Sequence, residues 1–172
     1  GGGWMNFMSL DISTKCTGWA LWKDNKLYSS GSIDLTPGDG AVGRLRLLFS
    51  LWTDILVNLP IEVHEIVYEN GVFCRTSIQT ASMGAAIGVI ISTTDQPIFP
   101  LNVVTWRKNL TGKGNADKAE IRRTLNGQGL LPPVCNDDEM EAIGIGAAWI
   151  AIKEQMEKTK EEKKKGRKKN GK

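Results

Sequence analysis

Histidine is almost missing from this sequence: His64 is the only one, and just three cysteines, Cys16, Cys74 and Cys135, accompany it. The cysteines are odd in number, widely spaced and without a CxxC pair. That argues against a disulfide framework or a zinc site and favours a reducing compartment. With one histidine, Ser-His-Asp and Cys-His mechanisms have a single candidate base. His64 alternates with Val63 and Glu65 in an expected strand, where a structural role is the simpler reading. No stretch approaches the roughly 18–20 uninterrupted apolar residues that span a bilayer, so no membrane partner is expected. No basic-then-apolar leader marks the chain for export, and the expectation is a cytoplasmic location. Residues 1–4, opening on Gly1-Gly2-Gly3, are set aside as an extension outside the fold.

What is present divides by charge. From Lys153 to Lys172 there are ten Lys/Arg against four Glu, whereas residues 1–152 hold twelve Lys/Arg against fifteen Asp/Glu. An acidic body therefore carries a basic tail. The body suits gathered carboxylates, and the tail suits attraction to phosphates. The chain has the length of one domain, expected over residues 5–157, and the apolar-free stretch 158–172 is expected to be disordered.

Hydrophobic patterning predicts strands at 6–12, 18–23, 26–31, 63–69 and 97–103. Asp24-Asn25 joins the second and third as a hairpin. Helical spacing covers 41–59, stopped by Pro60, and helices are also predicted over 75–92, 116–126 and 137–157. The helix at 75–92 is rich in small residues and poor in charge, so it is read as buried. Thr111–Asn115 forms a loop. The order predicts an α/β fold: a mixed sheet of five strands, an antiparallel hairpin feeding parallel strands, with helices on both faces.

Acids recur at informative places. Asp11 ends a buried strand before a turn rich in hydroxyl residues, where capping the turn is an equal alternative to a site. Glu69 ends a second, central-looking strand, or simply emerges into solvent before Asn70-Gly71. Two acids ending neighbouring strands carry more weight together. Asp138 and Glu141 lie three apart, on the helix face continued by Ala142, Ile145, Ala148 or Trp149, and Ile152. Helix capping explains Asp137 and Glu139 well, but acids aligned with an apolar stripe poorly. Clustered carboxylates without histidine or thiolate suit Mg²⁺ or Mn²⁺. Two such ions about 3.5–4 Å apart hydrolyse phosphodiesters in known sites.

Arg107, Lys108, Lys113, Lys118, Arg122 and Arg123 crowd the same region around the Gly112–Gly114 loop, as a phosphate-gripping surface would. An ordinary solvated helix face serves Arg122 and Arg123 equally well.

Four segments in order, over residues 6–152, carry a resemblance: Leu10-Asp11-Ile12-Ser13-Thr14 with Thr17-Gly18-Trp19-Ala20; Val67-Tyr68-Glu69 with Phe73; Gly112-Lys113-Gly114-Asn115-Ala116-Asp117-Lys118; and Asp138-Glu139-Met140-Glu141-Ala142-Ile143-Gly144-Ile145. The chain resembles RuvC-type Holliday-junction resolvases of the RNase H-like superfamily, especially the small phage-encoded members. The resemblance implies an RNase H-like fold and Mg²⁺-dependent endonuclease activity on four-way or branched DNA, with two ions per site and Mn²⁺ able to substitute. It implies Asp11, Glu69, Asp138 and Glu141 as metal ligands and Lys118 as a catalytic lysine near the scissile phosphate. Arg107 falls where the family often places a basic residue near DNA. Phe73 matches an aromatic that stacks on opened bases, and Arg75, Lys108, Lys113 and Arg122 complete the expected DNA-binding set. Two departures stand out: Glu141 where Asp is commoner, and Ser13 where many relatives have Gly. The resemblance also implies a homodimer. The helix around Gly84 and Gly88 is the candidate interface, with packing on the chain's own sheet an equal alternative.

Competing functions are another RNase H-like nuclease acting on flaps, forks or RNA–DNA hybrids, an actin-like or sugar-kinase-type ATPase fragment, and a non-catalytic junction-binding protein. The ATPase reading lacks a second phosphate loop and half the required length.

Overall fold

The computed structural model describes residues 5–70 and 76–169, with side chains described to 165. Five strands form one sheet: β1 Phe7–Asp11, β2 Cys16–Lys23, β3 Lys26–Asp34, β4 Glu65–Glu69 and β5 Ile98–Leu101, in the order β3-β2-β1-β4-β5. β2 runs antiparallel to β1 and β3, while β4 runs parallel to β1 and to β5. The β2–β3 turn has Asp24 and Asn25 at φ of 51° and 60°. Those left-handed values are what a two-residue hairpin turn matched to strand twist requires. The expected mixed sheet is therefore the observed one, with β3 extending beyond its predicted end.

Alternation along β1 sorts the two cores. Met8 and Leu10 face Leu48 and Trp52 of α1 (Gly40–Val57) and Ala86 and Ile90 of α2 (Ser77–Ser92). Phe7 faces the opposite layer, built from α3 (Val103–Thr111), α4 (Lys118–Gly127) and α5 (Asp137–Lys169). By the same period of two, Ser9 and Asp11 share the face of Phe7. Glu65, Val67 and Glu69 of β4 share one face in the same way. Parallel pairing runs Phe7↔Glu65 through Leu10↔Tyr68, so Asp11 and Glu69 come one step later at adjacent carboxyl ends.

Three expectations are corrected. Residues 103–111 form α3, which the patterning did not predict. Asn102 caps it through Val104 N, and Gly112, at φ 84°, ends it. α2 is not a buried helix: only Ala86 and Ile90 are buried, and a Cβ on Gly84 or Gly88 would meet nothing. These glycines therefore face away from the chain's own sheet. Finally, α5 continues to Lys169, where disorder was expected from residue 158. Glu154–Lys158 and Glu161–Lys165 have the i,i+4 order that supports an exposed helix, which compensates for the absence of an apolar stripe. No helix among the described residues is long and apolar enough to cross a membrane.

Candidate active site

α5 sits unusually low on the sheet, and glycines allow it. A Cβ on Gly18 of β2 would overlap the Asp138 backbone carbonyl, and one on Gly146 would overlap the Trp22 indole and the Ser9 hydroxyl. Between them lies a buried clasp. Trp22 Nε1 donates to Ser9 Oγ at 2.9 Å, and Ser9 Oγ donates to the Ala142 carbonyl at 2.7 Å. Gly18 pairs with Asp11 across the β1–β2 ladder. The same glycine that neighbours Asp11 thus admits the first turn of α5 above it, with Asp138 and Glu141.

The four acids converge electrostatically. Asp11 is pushed well above the ordinary carboxylate range, first by burial, then by the charges of Glu141 and Glu69, by a hydrogen bond to Glu141, and by Asp138. Glu69 is raised by burial and by Glu141, against opposition from its hydrogen bond to Trp106 and from Arg107. Glu141 is a buried acid. The neighbouring carboxylates make Asp11 and Glu69 harder to ionise, and a divalent cation among them would reverse that penalty. The donors are all carboxylate oxygens, the set that hard cations take. Among the described residues no three such side chains are already arranged around one ion position. Two are held elsewhere: Trp106 Nε1 donates to Glu69 Oε2 at 2.6 Å, and Arg107 Nη2 lies 3.4 Å from Glu141 Oε1.

Cations flank the cluster. Lys118 has its ammonium strengthened mainly by the Glu141 charge, against burial, and pairs with Asp137 at 3.5 Å. Arg107 donates to the Ala116 carbonyl and lies over the Trp106 ring. Arg122 is tied to Asp137 at 3.0 Å, and Lys113 to Glu120 at 2.7 Å. Lys108 is exposed in the last turn of α3. Phe73 and Arg75 lie outside the described residues.

Asp137 and Glu139 lie in the first turn of α5, yet their carboxylates bond outside the helix, Asp137 to Lys118 and Arg122. Asn136 Oδ1 accepts from Glu139 N, while the Glu139 carboxylate accepts from Ser30 of β3. The capping box sits instead on α4, between Asp117 and Glu120. His64 Nδ1 accepts from Asn6 N, a structural contact far from the acids. Burial pushes the thiols of Cys16 and Cys135 up to about 11, so neither supplies a thiolate at neutral pH. Trp106, Ser9 and Trp22 are contributors that the sequence did not single out. An indole or a lone serine in an apolar run reads as packing.

A five-stranded mixed sheet with carboxylates at the ends of β1 and β4, closed by an acidic helix start, has an RNase H-like fold with a candidate carboxylate centre. Comparison with known proteins narrows this class. No family model matches the chain. The crossover junction endodeoxyribonuclease RuvC of Carboxydothermus hydrogenoformans is 30% identical over 118 residues, covering 66% of this chain and 73% of that protein. The RuvC of Ehrlichia chaffeensis is 29% identical over 124 residues, covering 68% and 78%. Among solved structures, Thermus thermophilus RuvC in complex with Holliday junction substrate matches with a TM-score of 0.71 at 18% identity, over 84% of this chain and 92% of that one. A second Thermus thermophilus RuvC structure gives the same TM-score at 16% identity. These structural likenesses bear on the fold. The chain belongs to the RuvC family of crossover junction endodeoxyribonucleases.

Proposed function

We propose that this protein resolves Holliday junctions and related branched DNA by paired nicks, as a Mg²⁺-dependent endonuclease using two ions per site. The observation carrying this reading is the convergence of Asp11, Glu69, Asp138 and Glu141 from three elements, with Asp11 resisting ionisation first through burial and then through the charges of the others. The four acids would hold the ions. Bound there, divalent cations supply an activated water and stabilise the leaving oxygen.

The chain's own residues do the rest. Lys118, its ammonium strengthened by the Glu141 charge, would balance charge on a phosphate entering beside the acids. Arg107 neutralises Glu141 until a cation or phosphate competes for either partner. Lys108, Lys113 and Arg122 extend the positive rim, where phosphate contacts fix register and not sequence. Phe73 and Arg75 complete the proposed DNA surface. For the homodimer, Ala81, Gly84, Ala85, Gly88 and Ile91 form one exposed stripe on α2, suited to close approach by a second copy.

The decisive experiment is cleavage of a synthetic four-way junction, with flap and RNA–DNA hybrid substrates alongside. Mg²⁺-dependent cleavage of the junction is expected to be lost in Asp11→Asn and Glu141→Gln while binding persists. Normal cleavage by both variants would overturn the metal-site assignment, and preference for flaps or hybrids would overturn the substrate.

A further inference from the structure

Trp106 is fully buried, yet its indole touches two members of the proposed centre. Its edge donates from Nε1 to Glu69 Oε2 at 2.6 Å, and the Arg107 guanidinium lies over its ring, 5.5 Å from the centroid. The ring has little room to swing. A Cβ on Gly144 of α5 would lie only 3.0 Å from its far edge, so the helix backbone already closes that side. One oxygen of Glu69 is therefore committed to a short, charge-assisted hydrogen bond with a donor that cannot follow it elsewhere. The other oxygen carries no hydrogen bond from the protein among the described residues.

Carboxylates bind cations through one oxygen or through two. Mg²⁺ takes near-octahedral geometry at about 2.0–2.1 Å with few protein ligands and several waters, whereas Ca²⁺ takes about 6–8 oxygens and readily accepts both oxygens of one carboxylate. The indole N–H uses one lone pair of Oε2 and fixes the carboxylate's orientation, which leaves Oε1 the freer donor and disfavours coordination through both oxygens. Resting on the metal-site reading above, we propose that Trp106 is a positioning residue that favours one-oxygen coordination by Glu69 and so biases the centre toward small octahedral cations over Ca²⁺. The role belongs to the N–H, not to the ring's apolar surface, and the two are separable.

The test measures metal binding to the full chain by calorimetry, with Mg²⁺, Mn²⁺ and Ca²⁺ each titrated alone. Trp106→Phe removes the N–H. Because it also leaves space in the core, a second variant places benzothienylalanine at position 106, keeping the ring's shape without the donor. Freed Oε2 is expected to shift the ratio of Ca²⁺ to Mg²⁺ dissociation constants about tenfold toward Ca²⁺ in both variants, the low end of what one hydrogen bond to a charged group is worth. A ratio unchanged in the benzothienylalanine protein, with binding abolished in Asp11→Asn, overturns the role of Trp106 and leaves the metal site standing. Unaltered metal binding in Asp11→Asn overturns the site itself and the inference with it.

Discussion

At the scale of single residues, the centre is a place where charge is held against its preference. Asp11 keeps its proton to higher pH in the folded chain than in the unfolded chain, whose value is near 3.8. Above that pH the unfolded state has released a proton that the folded state retains, so this group's contribution to stability falls as pH rises, and the loss is complete above the folded value. Asp11→Asn removes the cost. In chelator, the variant is expected to melt at nearly the wild-type temperature around pH 4 and a few degrees higher at pH 8. Saturating Mg²⁺ should reverse the order, because only the wild type gains full binding energy. Scanning calorimetry across pH checks this; a variant less stable than wild type in chelator at pH 8 would refute it. Gly18 acts by absence of bulk. Gly18→Ala must displace the Asp138 carbonyl, at a cost of about 1–3 kcal/mol. Weakened Mg²⁺ binding together with a lowered melting temperature is expected by calorimetry, since the substitution lifts two acids off the other two.

At the scale of elements, α5 is the organising piece. Its start supplies Asp138 and Glu141, and its middle is pinned by the Ser9–Trp22 clasp. Farther along, Lys153 and Trp149 hold the buried Glu65 at the start of β4, the opposite end of the strand from Glu69. The helix therefore enters at the acids and reaches the opposite end of β4. Its basic extension beyond Glu157 is at least about 24 Å of helix away from Glu141, at 1.5 Å per residue. Truncation after Glu157 is accordingly expected to weaken junction binding and flatten its salt dependence, by about 0.9 in log–log slope for each phosphate that the extension neutralises. The cut sites should stay where they are, since the extension begins far from the acids. Binding assays over a salt series with mapping of the nicks test both halves; a moved cut site would show the extension taking part in recognition.

At the scale of the whole molecule, two faces have different work. The α3–α4–α5 face closes over the acids, and the α1–α2 face leaves its outer stripe uncovered. If that stripe meets a second copy, Gly88→Lys should leave the fold intact, because lysine is a better helix former than glycine and a Cβ at this exposed position meets nothing within 4 Å. Sedimentation is expected to show a shift from dimer to monomer, and junction cleavage to fall from paired nicks to single ones. A dimer unchanged by the substitution would place the interface elsewhere.

The sequence by itself determined what is local and periodic. Alternation and the Asp24-Asn25 turn specified the hairpin, strand ends marked Asp11 and Glu69, and i,i+3 spacing put Asp138 with Glu141 on the buried side of their helix. These follow from backbone geometry within a few residues. It did not reveal α3, whose apolar positions are few and whose Trp106 reads as core. It also misread α2, since small apolar residues look alike whether they face a sheet or an uncovered surface. Only the tertiary structure decided that β4 lies beside β1, that Gly18 and Gly146 let α5 descend onto them, and that Trp106 and Arg107 hold two of the acids. Those relations join residues tens of positions apart, and their physical cause is close packing, which no short window of sequence contains.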